Sequence, residues 1–228
     1  MPLILILLIV ILALSVFPQM WVKSVLARHG AERADFAGTG AEFARHALDR
    51  LGLVSVKVEE TELGDHYDPE AKAVRLSKPH FNKRSLSAIV VAAHEIGHAM
   101  QDQTGYGPLA ARTLLAKRAA KIQRVGSIVM LAAPILLIVS KSPAILILDF
   151  LAGAAIMLSA VAIHAVTLPV EIDASFRRAL PVLKAGNYLD EADMPAARKI
   201  LSAAAATYVA AAAMSLLDVG RWLRVLRV

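Results

Sequence analysis

The sequence predicts a membrane-embedded, mainly α-helical protein with a small β-hairpin or sheet, carried on about three transmembrane helices. Apolar residues make up 57% of the 228 residues and charged residues only 19%, with a mean hydropathy of +0.56. Soluble domains contain about 25% charged residues. Three segments, 2–22, 125–140 and 144–170, hold at most one charged side chain each. The helix and strand patterns of a soluble domain lie between the first two.

Residues 1–22 are predicted to form an N-terminal transmembrane anchor. The 21 residues from Pro2 to Val22 carry no charge and extend about 31 Å as a helix, which matches a hydrocarbon core of about 30 Å. A cleaved signal peptide is the alternative. However, no Lys or Arg precedes the apolar run, and no small-x-small cleavage site follows it.

Residues 125–170 are predicted to form a transmembrane helical hairpin. The runs 125–140 and 144–170 are both apolar, and Ser142-Pro143 between them is typical of a tight turn. The first run has 16 residues, which is short for a span. The basic residues at its ends are therefore expected to extend outward to the interface.

The basic residues set the predicted orientation in the bilayer. Lys and Arg are concentrated in segment 23–124, and such residues favour the cytoplasmic side. The N-terminus and the turn at 141–143 are then outside, and segments 23–124 and 171–228 are cytoplasmic. This orientation accounts for the net charge of +6. Because no basic stripe is interleaved with aromatic residues, nucleic acid is not an expected partner.

The C-terminal segment 171–228 is predicted to be helical. Its apolar run 200–217 is mostly alanine, and spanning would carry the three arginines of the tail to the outside, against the positive-inside rule. A fourth span is therefore the alternative rather than the prediction. The tail 221–227 is typical of an interfacial anchor.

Two helices are predicted in segment 23–124. Thr39 and Glu42 form a capping box that starts a helix ending at Gly52. A second, strongly apolar helix follows over residues 86–103. Between these helices, residues 53–60 and 71–77 alternate apolar with polar side chains and are predicted to be strands.

The pentad His94-Glu95-Ile96-Gly97-His98 lies in the second helix. Residues four apart share a helical face, so both imidazoles can bind one cation. Zinc favours nitrogen ligands in tetrahedral geometry, and in catalytic sites it keeps one position for water. Glu95 lies beside the pair, where it can accept a proton from that water. Two helix histidines without a metal are the alternative.

The chain contains no cysteine, so a metal site here uses His, Asp or Glu, and thiol catalysis is excluded. A catalytic zinc also needs a third protein ligand. Glu171 follows the third apolar run, on the side of the membrane to which charge assigns the pentad. An ordinary first-turn acid, favoured by the helix dipole, is the alternative interpretation. The other candidates include the remaining histidines: His29, His46, His66, His80 and His164.

Several separated motifs together resemble the YugP-type bacterial membrane zinc metallopeptidases. They are Asp65-His66-Tyr67-Asp68-Pro69, Arg75-Leu76-Ser77, Ala92-Ala93-His94-Glu95-Ile96-Gly97-His98-Ala99-Met100-Gln101 and Thr167-Leu168-Pro169-Val170-Glu171-Ile172-Asp173-Ala174-Ser175. The resemblance runs over about residues 39–206. It implies a gluzincin-like site in which one Zn²⁺ per chain is bound by His94, His98 and Glu171. It also implies that Glu95 is the general base, in a protein of the bacterial inner membrane.

The acid that would orient a ligand is displaced relative to similar enzymes. In the HtpX and CAAX-prenyl endopeptidases, which this family resembles in outline, the ligand Glu is followed four residues later by an Asp. Here that position is Ser175, and the acid is Asp173, two residues after Glu171. Ser175 is therefore the geometric substitute for the orienting role, with Asp173 on another helix face.

The predicted function is a membrane-anchored endopeptidase that cleaves membrane-associated proteins or peptides near the cytoplasmic interface, because Glu171 lies one residue beyond the third apolar run. Zinc polarises the scissile carbonyl and lowers the pKa of water. Glu95 passes a proton of that water to the leaving amine. Candidates for the oxyanion stabiliser are His66, Tyr67, Tyr106 and Tyr208. Strand 71–77, with Ala73, Val74 and Arg75, either binds the substrate by strand addition or has no ligand role.

A catalytically silent zinc-binding scaffold is the alternative function. A structural zinc site usually has four protein ligands and does not need Glu95. A metal transporter is a third possibility and requires polar residues deep in several spans, which the three apolar runs almost lack. The sequence predicts no particular oligomeric state.

Overall fold

A computed structural model describes residues 17–142, 144–203 and 205–206. The described chain is mainly helical and contains one small sheet. Its first part consists of α1 (17–28), α2 (Gly40–Arg50), β1 (Lys57–Thr61), β2 (His66–Asp68), β3 (Ala73–Ser77), α3 (Lys78–Asn82) and α4 (Leu86–Gln103). Its second part consists of α5 (Gly107–Ser140), α6 (Ala144–Ile172), a π-helical segment (Asp173–Ala179), α7 (Leu180–Ala185) and α8 (194–203).

The capping box predicted at the start of α2 is confirmed. The Thr39 hydroxyl accepts a hydrogen bond from the backbone N–H of Glu42 at 3.3 Å, and the Glu42 carboxylate accepts one from the backbone N–H of Thr39 at 2.7 Å. These bonds satisfy donors that the first turn of a helix leaves free. The apolar face of α2, which includes Phe43, Ala47 and Leu48, is buried and packs on α4.

The small sheet contains a strand that the sequence analysis missed. The strand order is β1–β3–β2, with β1 parallel and β2 antiparallel to β3. The residues of β2 include types that are common in turns, and these concealed the strand. Tyr67 is nevertheless buried in the sheet, and the turn begins one residue later, at Asp68. There Asp68 Oδ1 accepts hydrogen bonds from the backbone N–H groups of Glu70 at 2.9 Å and Ala71 at 3.0 Å.

Strand 71–77, predicted either to bind substrate by strand addition or to have no ligand role, is the central strand β3, and this position favours the second alternative. Backbone partners flank Ala73, Val74 and Arg75 on both sides, because β3 is the central strand of the sheet. Strand addition requires a free edge. The Arg75 side chain is also occupied, since it forms ion pairs with Glu59 at 3.0 Å and Asp68 at 2.6 Å.

Helix α4 is the central helix of the soluble part. The Ser85 hydroxyl caps its start by accepting a hydrogen bond from the backbone N–H of Ala88 at 3.2 Å. Most of its residues are buried, because α2, β3 and the π-helical segment pack around it. A helix enclosed on several sides carries polar residues into the interior, among them Glu95, His98 and Gln101.

Helices α5 and α6 pack along each other as a helical hairpin. Lys141 ends α5 in the left-handed conformation with φ of 51°, and its N–H donates to the carbonyl of Leu137 at 2.9 Å. Helix α5 begins 18 residues before the charge-free run at 125, because the basic stretch before it consists of good helix formers. Large apolar side chains in the second half of α5 remain exposed: Leu131 at 82%, Ile138 at 75% and Val139 at 76%.

Two helices within the described residues, Gly107–Val139 and Ile147–Ala185, are long and apolar enough to cross a membrane. The sequence predicts about three spans. The predicted anchor 1–22 lies outside the described residues except for 17–22, which belong to α1. Of the alanine-rich run 200–217, only 200–203 and 205–206 are described, and these are helical.

Helix α4 and the π-helical segment approach each other closely at Gly97. A Cβ atom on Gly97 would lie 2.5 Å from the carbonyl oxygen of Ala174, which belongs to the backbone and moves only with the whole segment. Because Gly97 has no side chain, α4 and the segment that follows Glu171 can approach each other this closely.

We predict that Gly97→Ala destabilises the protein by up to about 2 kcal/mol. The forced separation of the helices costs about 1–3 kcal/mol, and the better helix propensity of alanine returns about 1 kcal/mol. The matched control is Gly107→Ala at the start of α5, where a Cβ atom meets nothing within 4 Å. Thermal unfolding in detergent compares the two variants, and equal melting temperatures would contradict the close packing.

Candidate metal centre

Three side chains from distant parts of the chain converge in the interior. His94 and His98 lie one turn apart on α4, and Glu171 lies in the last turn of α6. Glu171 Oε2 is 3.1 Å from His94 Nε2 and 3.5 Å from His98 Nε2. One donor atom of each residue lies within 4.8 Å of the other two. Only 2% of the Glu171 side chain is exposed, so the carboxylate is enclosed.

This donor set fits a zinc ion. Imidazole nitrogens and a carboxylate oxygen are ligands that zinc prefers. Glu171 Oε1 is buried and has no hydrogen-bond partner among the described residues. Arg112 Nη1 lies 3.2 Å from this oxygen, whereas Oε2 faces the two imidazole nitrogens, and a cation between them would stabilise the buried charge on that side.

Gln101 fixes the orientation of the second imidazole. His98 Nδ1 lies 2.9 Å from Gln101 Oε1. The amide nitrogen of Gln101 donates to two acceptors, the carbonyl of Val170 at 2.8 Å and Asp173 Oδ2 at 2.9 Å. Its amide oxygen therefore faces His98 and can only accept, so Nδ1 of His98 carries the hydrogen. The lone pair of Nε2 is left to face Glu171, as a metal ligand requires.

Ser175 holds the first imidazole. His94 Nδ1 lies 3.0 Å from Ser175 Oγ, and the hydroxyl can accept a hydrogen bond from Nδ1–H. Ser175 lies in the π-helical segment and is fully buried. The position four residues after Glu171 thus contacts one of the two converging histidines.

Asp173 acts on the other histidine indirectly. Asp173 Oδ2 accepts hydrogen bonds from Gln101 Nε2 and, at 2.7 Å, from Arg178 Nε. Its carboxylate thereby fixes the amide that orients His98. Ser175 and Asp173, the two residues predicted for an orienting role, therefore act on different histidines. Ser175 contacts His94 directly, and Asp173 acts on His98 through Gln101.

Glu95 lies beside this cluster with 5% of its surface exposed. Burial raises the pKa of its carboxyl group to about 7. The charge of His94 opposes this rise, and the charges of Glu171 and Asp65 add to it. A bound dication would lower the pKa again. The pKa near 7 therefore describes the site without a bound metal, where the carboxyl group exchanges a proton near neutral pH.

Comparison with known proteins agrees with the chemistry of the cluster. The family described as "Putative neutral zinc metallopeptidase" matches residues 4–227. The chain belongs to this family. The "Putative membrane protease YugP" of Bacillus subtilis (strain 168) is 40% identical over 216 residues, which cover 94% of this chain and 92% of that relative. The family resemblance noted in the sequence is thereby confirmed. No solved structure matches the chain.

Tyr67, one predicted oxyanion stabiliser, has another partner. Its hydroxyl donates a hydrogen bond to Asp102 Oδ2 at 2.6 Å, and the Lys72 ammonium contacts the same oxygen at 2.6 Å. Burial raises the pKa of the Tyr67 hydroxyl, and the hydrogen bond to Asp102 adds to the rise. The hydroxyl therefore stays protonated and tied to α4.

The other predicted stabilisers are placed as follows. His66 Nδ1 lies 2.8 Å from the carbonyl oxygen of Gly64. The ring of Tyr106 lies beneath the guanidinium of Arg178, whose carbon is 5.5 Å from the ring centre. Tyr208 lies outside the described residues. The structure therefore joins neither His66 nor Tyr106 to the two histidines and Glu171 by a hydrogen bond within the described residues.

Two residues of the site, Gln101 and Arg112, are not predicted from the sequence. Gln101 lies three residues after His98, on the same helical face, and this spacing was the available signal. Arg112 Nη1 lies 3.2 Å from Glu171 Oε1. The sequence predicts only that the basic residues in this stretch orient the protein in the membrane. No local pattern distinguishes Arg112 from its basic neighbours.

His80, one of the remaining histidines, belongs to a separate cluster at the end of the sheet. Its Nδ1 lies 2.8 Å from Asp65 Oδ2. Asp65 Oδ1 also accepts hydrogen bonds from the backbone N–H of Ser77 at 2.7 Å and from its hydroxyl at 3.0 Å. These bonds fix the junction between β3 and α3 and give His80 a positioned acidic partner.

A second acidic group, formed by Asp35, Asp190 and Asp193, also has the spacing of a cation site. Arg33 already supplies its positive charge: the guanidinium pairs with Asp35, and Nη1 lies 2.7 Å from Asp193 Oδ1. This group is therefore explained as an ion-pair cluster that joins the start of the soluble part to the residues before α8.

We predict that Gln101→Leu weakens zinc binding by about 10–100-fold, the usual effect of removing a group that orients a ligand. Leucine has a similar volume but frees the His98 ring and leaves Asp173 with one donor fewer. The measurement is competition for zinc with a chromophoric chelator. Gln103→Leu, on an exposed face of the same helix, is the matched control. Equal zinc affinities for both variants would contradict the role of Gln101.

Proposed function

We propose that the protein is a membrane-anchored zinc-dependent endopeptidase that hydrolyses membrane-associated proteins or peptides near the cytoplasmic interface. The observation that carries the proposal is the convergence of His94, His98 and Glu171 beside the buried Glu95. Membership of a zinc metallopeptidase family and a relative named as a membrane protease support it.

In the proposed site, His94, His98 and Glu171 hold one Zn²⁺ per chain. Bound zinc supplies a Lewis acid that polarises the peptide carbonyl and activates water. Glu95 takes a proton from the attacking water and delivers it to the leaving amine nitrogen. Ser175 and Gln101 keep the imidazole Nε2 atoms turned toward the site.

A catalytically silent zinc-binding scaffold is the second candidate. A structural zinc site usually has four protein ligands, whereas three donor side chains converge among the described residues. Burial of an acid such as Glu95 costs stability, and a structural site gains nothing from it. The buried Glu95 therefore favours the enzyme.

The proposed position of the site relative to the membrane follows from charge and chain order. Glu171 lies one residue beyond the apolar run 144–170, and the basic residues 112–124 precede the other apolar run of the hairpin. By the positive-inside rule, both lie at the cytoplasmic face. A substrate bond that reaches this depth belongs most readily to a chain that is itself held at the membrane, because tethering raises its effective concentration.

We predict that the protein cleaves a membrane-proximal bond faster than the same bond far from the membrane. Two membrane-anchored reporter proteins carry one cleavable sequence, either beside the span or at the end of a long flexible cytoplasmic tail. Cleavage is measured with the purified protein in vesicles. Equal rates for the two reporters would remove the preference for the interface.

Two variants separate the enzyme from the scaffold in the same assay. Glu95→Gln should retain stoichiometric zinc and lose nearly all cleavage, because the amide cannot accept the proton. His98→Ala should lose both zinc and cleavage. Undiminished cleavage by Glu95→Gln would contradict the proposed reaction, and full zinc retention by His98→Ala would contradict the ligand set.

We predict that a single cysteine at position 142 reacts with a membrane-impermeant thiol reagent from outside the cell, whereas one at position 55 does not. The chain has no natural cysteine, so each substitution, Ser142→Cys or Ser55→Cys, gives an unambiguous signal. The reverse labelling pattern would invert the proposed orientation and move the active site to the other side of the membrane.

A further inference from the structure

Arg112 on α5 reaches the metal cluster from a helix that contributes no ligand. Its Nη1 lies 3.2 Å from Glu171 Oε1. The other carboxylate oxygen, Oε2, faces His94 Nε2 at 3.1 Å and His98 Nε2 at 3.5 Å. The two oxygens of one carboxylate are thus divided between the guanidinium on one side and the imidazoles on the other.

This ion pair differs from the other one that α5 makes within the described residues. Lys117 pairs with Glu70, but both side chains are mostly exposed, at 62% and 71%, and such pairs contribute little. Glu171 is 2% exposed and Arg112 is 29% exposed. Water screens the contact between Arg112 and the enclosed Glu171 carboxylate far less than it screens the exposed pair. Loss of Arg112 would leave Glu171 Oε1 buried with the metal as its only positive neighbour among the described residues.

We propose that Arg112 is a positioning residue of the metal centre, which holds Glu171 Oε1 so that Oε2 alone faces the metal. The inference rests on the zinc site of the proposed function. The contact between Nη1 and Oε1 is a close ion pair without hydrogen-bond alignment, so its effect is electrostatic attraction that fixes the rotation of the carboxylate. A guanidinium suits this task because it is always charged and weakly hydrated.

Simple charge repulsion and a positioning role predict opposite effects of Arg112 on zinc affinity. A positive charge beside a cation site repels the cation, so removal of the charge by itself tightens zinc binding. A positioning role has the opposite result, because a carboxylate that rotates freely loses the orientation that binding requires. Removal of Arg112 should therefore weaken zinc binding, by about 10–100-fold.

The experiment uses the full-length protein in detergent and three variants. Arg112→Gln removes the charge, Arg112→Lys keeps the charge but loses the planar group, and Arg118→Gln is the matched control. Arg118 lies on the same helix, is exposed, and forms no ion pair with any residue in the described part of the chain. Zinc affinity is measured by chelator competition, and the visible absorption of the Co²⁺-substituted protein reports the metal's ligand arrangement.

The expected result is a weaker zinc affinity and an altered Co²⁺ spectrum for Arg112→Gln, a smaller loss for Arg112→Lys, and wild-type behaviour for Arg118→Gln. Unchanged or tighter zinc binding by Arg112→Gln, with an unchanged Co²⁺ spectrum, would overturn the proposal. If Arg112→Gln does not fold, a second neutral variant, Arg112→Met, takes its place, and wild-type values in both measurements would overturn the proposal. Failure of the wild-type protein to bind zinc is a separate result, which would overturn the proposed function and this inference with it.

Discussion

The close approach of α4 to the π-helical segment is the constraint on which the metal centre depends. The contact at Gly97 is backbone to backbone, so it leaves no side chain that could adapt. It brings the end of α6 over the two histidines of α4. The residues on either side of the contact, Glu171 before it and Ser175 after it, then reach His94 and His98 from one rigid element.

A complete set of hydrogen bonds fixes the second imidazole within this packing. Both amide hydrogens of Gln101 have acceptors, and its oxygen accepts from His98. A buried polar network of this kind orients its members only when every group is satisfied. Asp173 completes it through Arg178. The network joins α4 to the residues after Glu171, so the same bonds that position a ligand also hold the two elements together.

Features encoded within a few neighbouring residues could be predicted from the sequence. The capping box of α2 and the bounds of α4 follow from local patterns, and the pentad at 94–98 identified two of the three converging donors. The central position of β3 could not be predicted, since it depends on pairing with β1 on one side and, on the other, with β2, a strand that the turn residues concealed. Arg112 was missed for a related reason: its partner lies 59 residues away in the chain, and charge alone does not distinguish a buried pair from a topology signal.

Helix α6 is continuous from Ala144 to Ile172, so its length fixes the distance between the turn of the hairpin and Glu171. From Ala144 beside the turn to Glu171 the helix rises about 40 Å, and no loop within it can absorb a change in length. One residue inserted on this path would rotate Glu171 by about 100° and carry it away from the imidazoles. In the proposed membrane setting, insertions and deletions in α6 are therefore restricted by the candidate metal centre as well as by the bilayer, and adaptation to a thicker or thinner membrane is left to tilt and to the turn at 141–143.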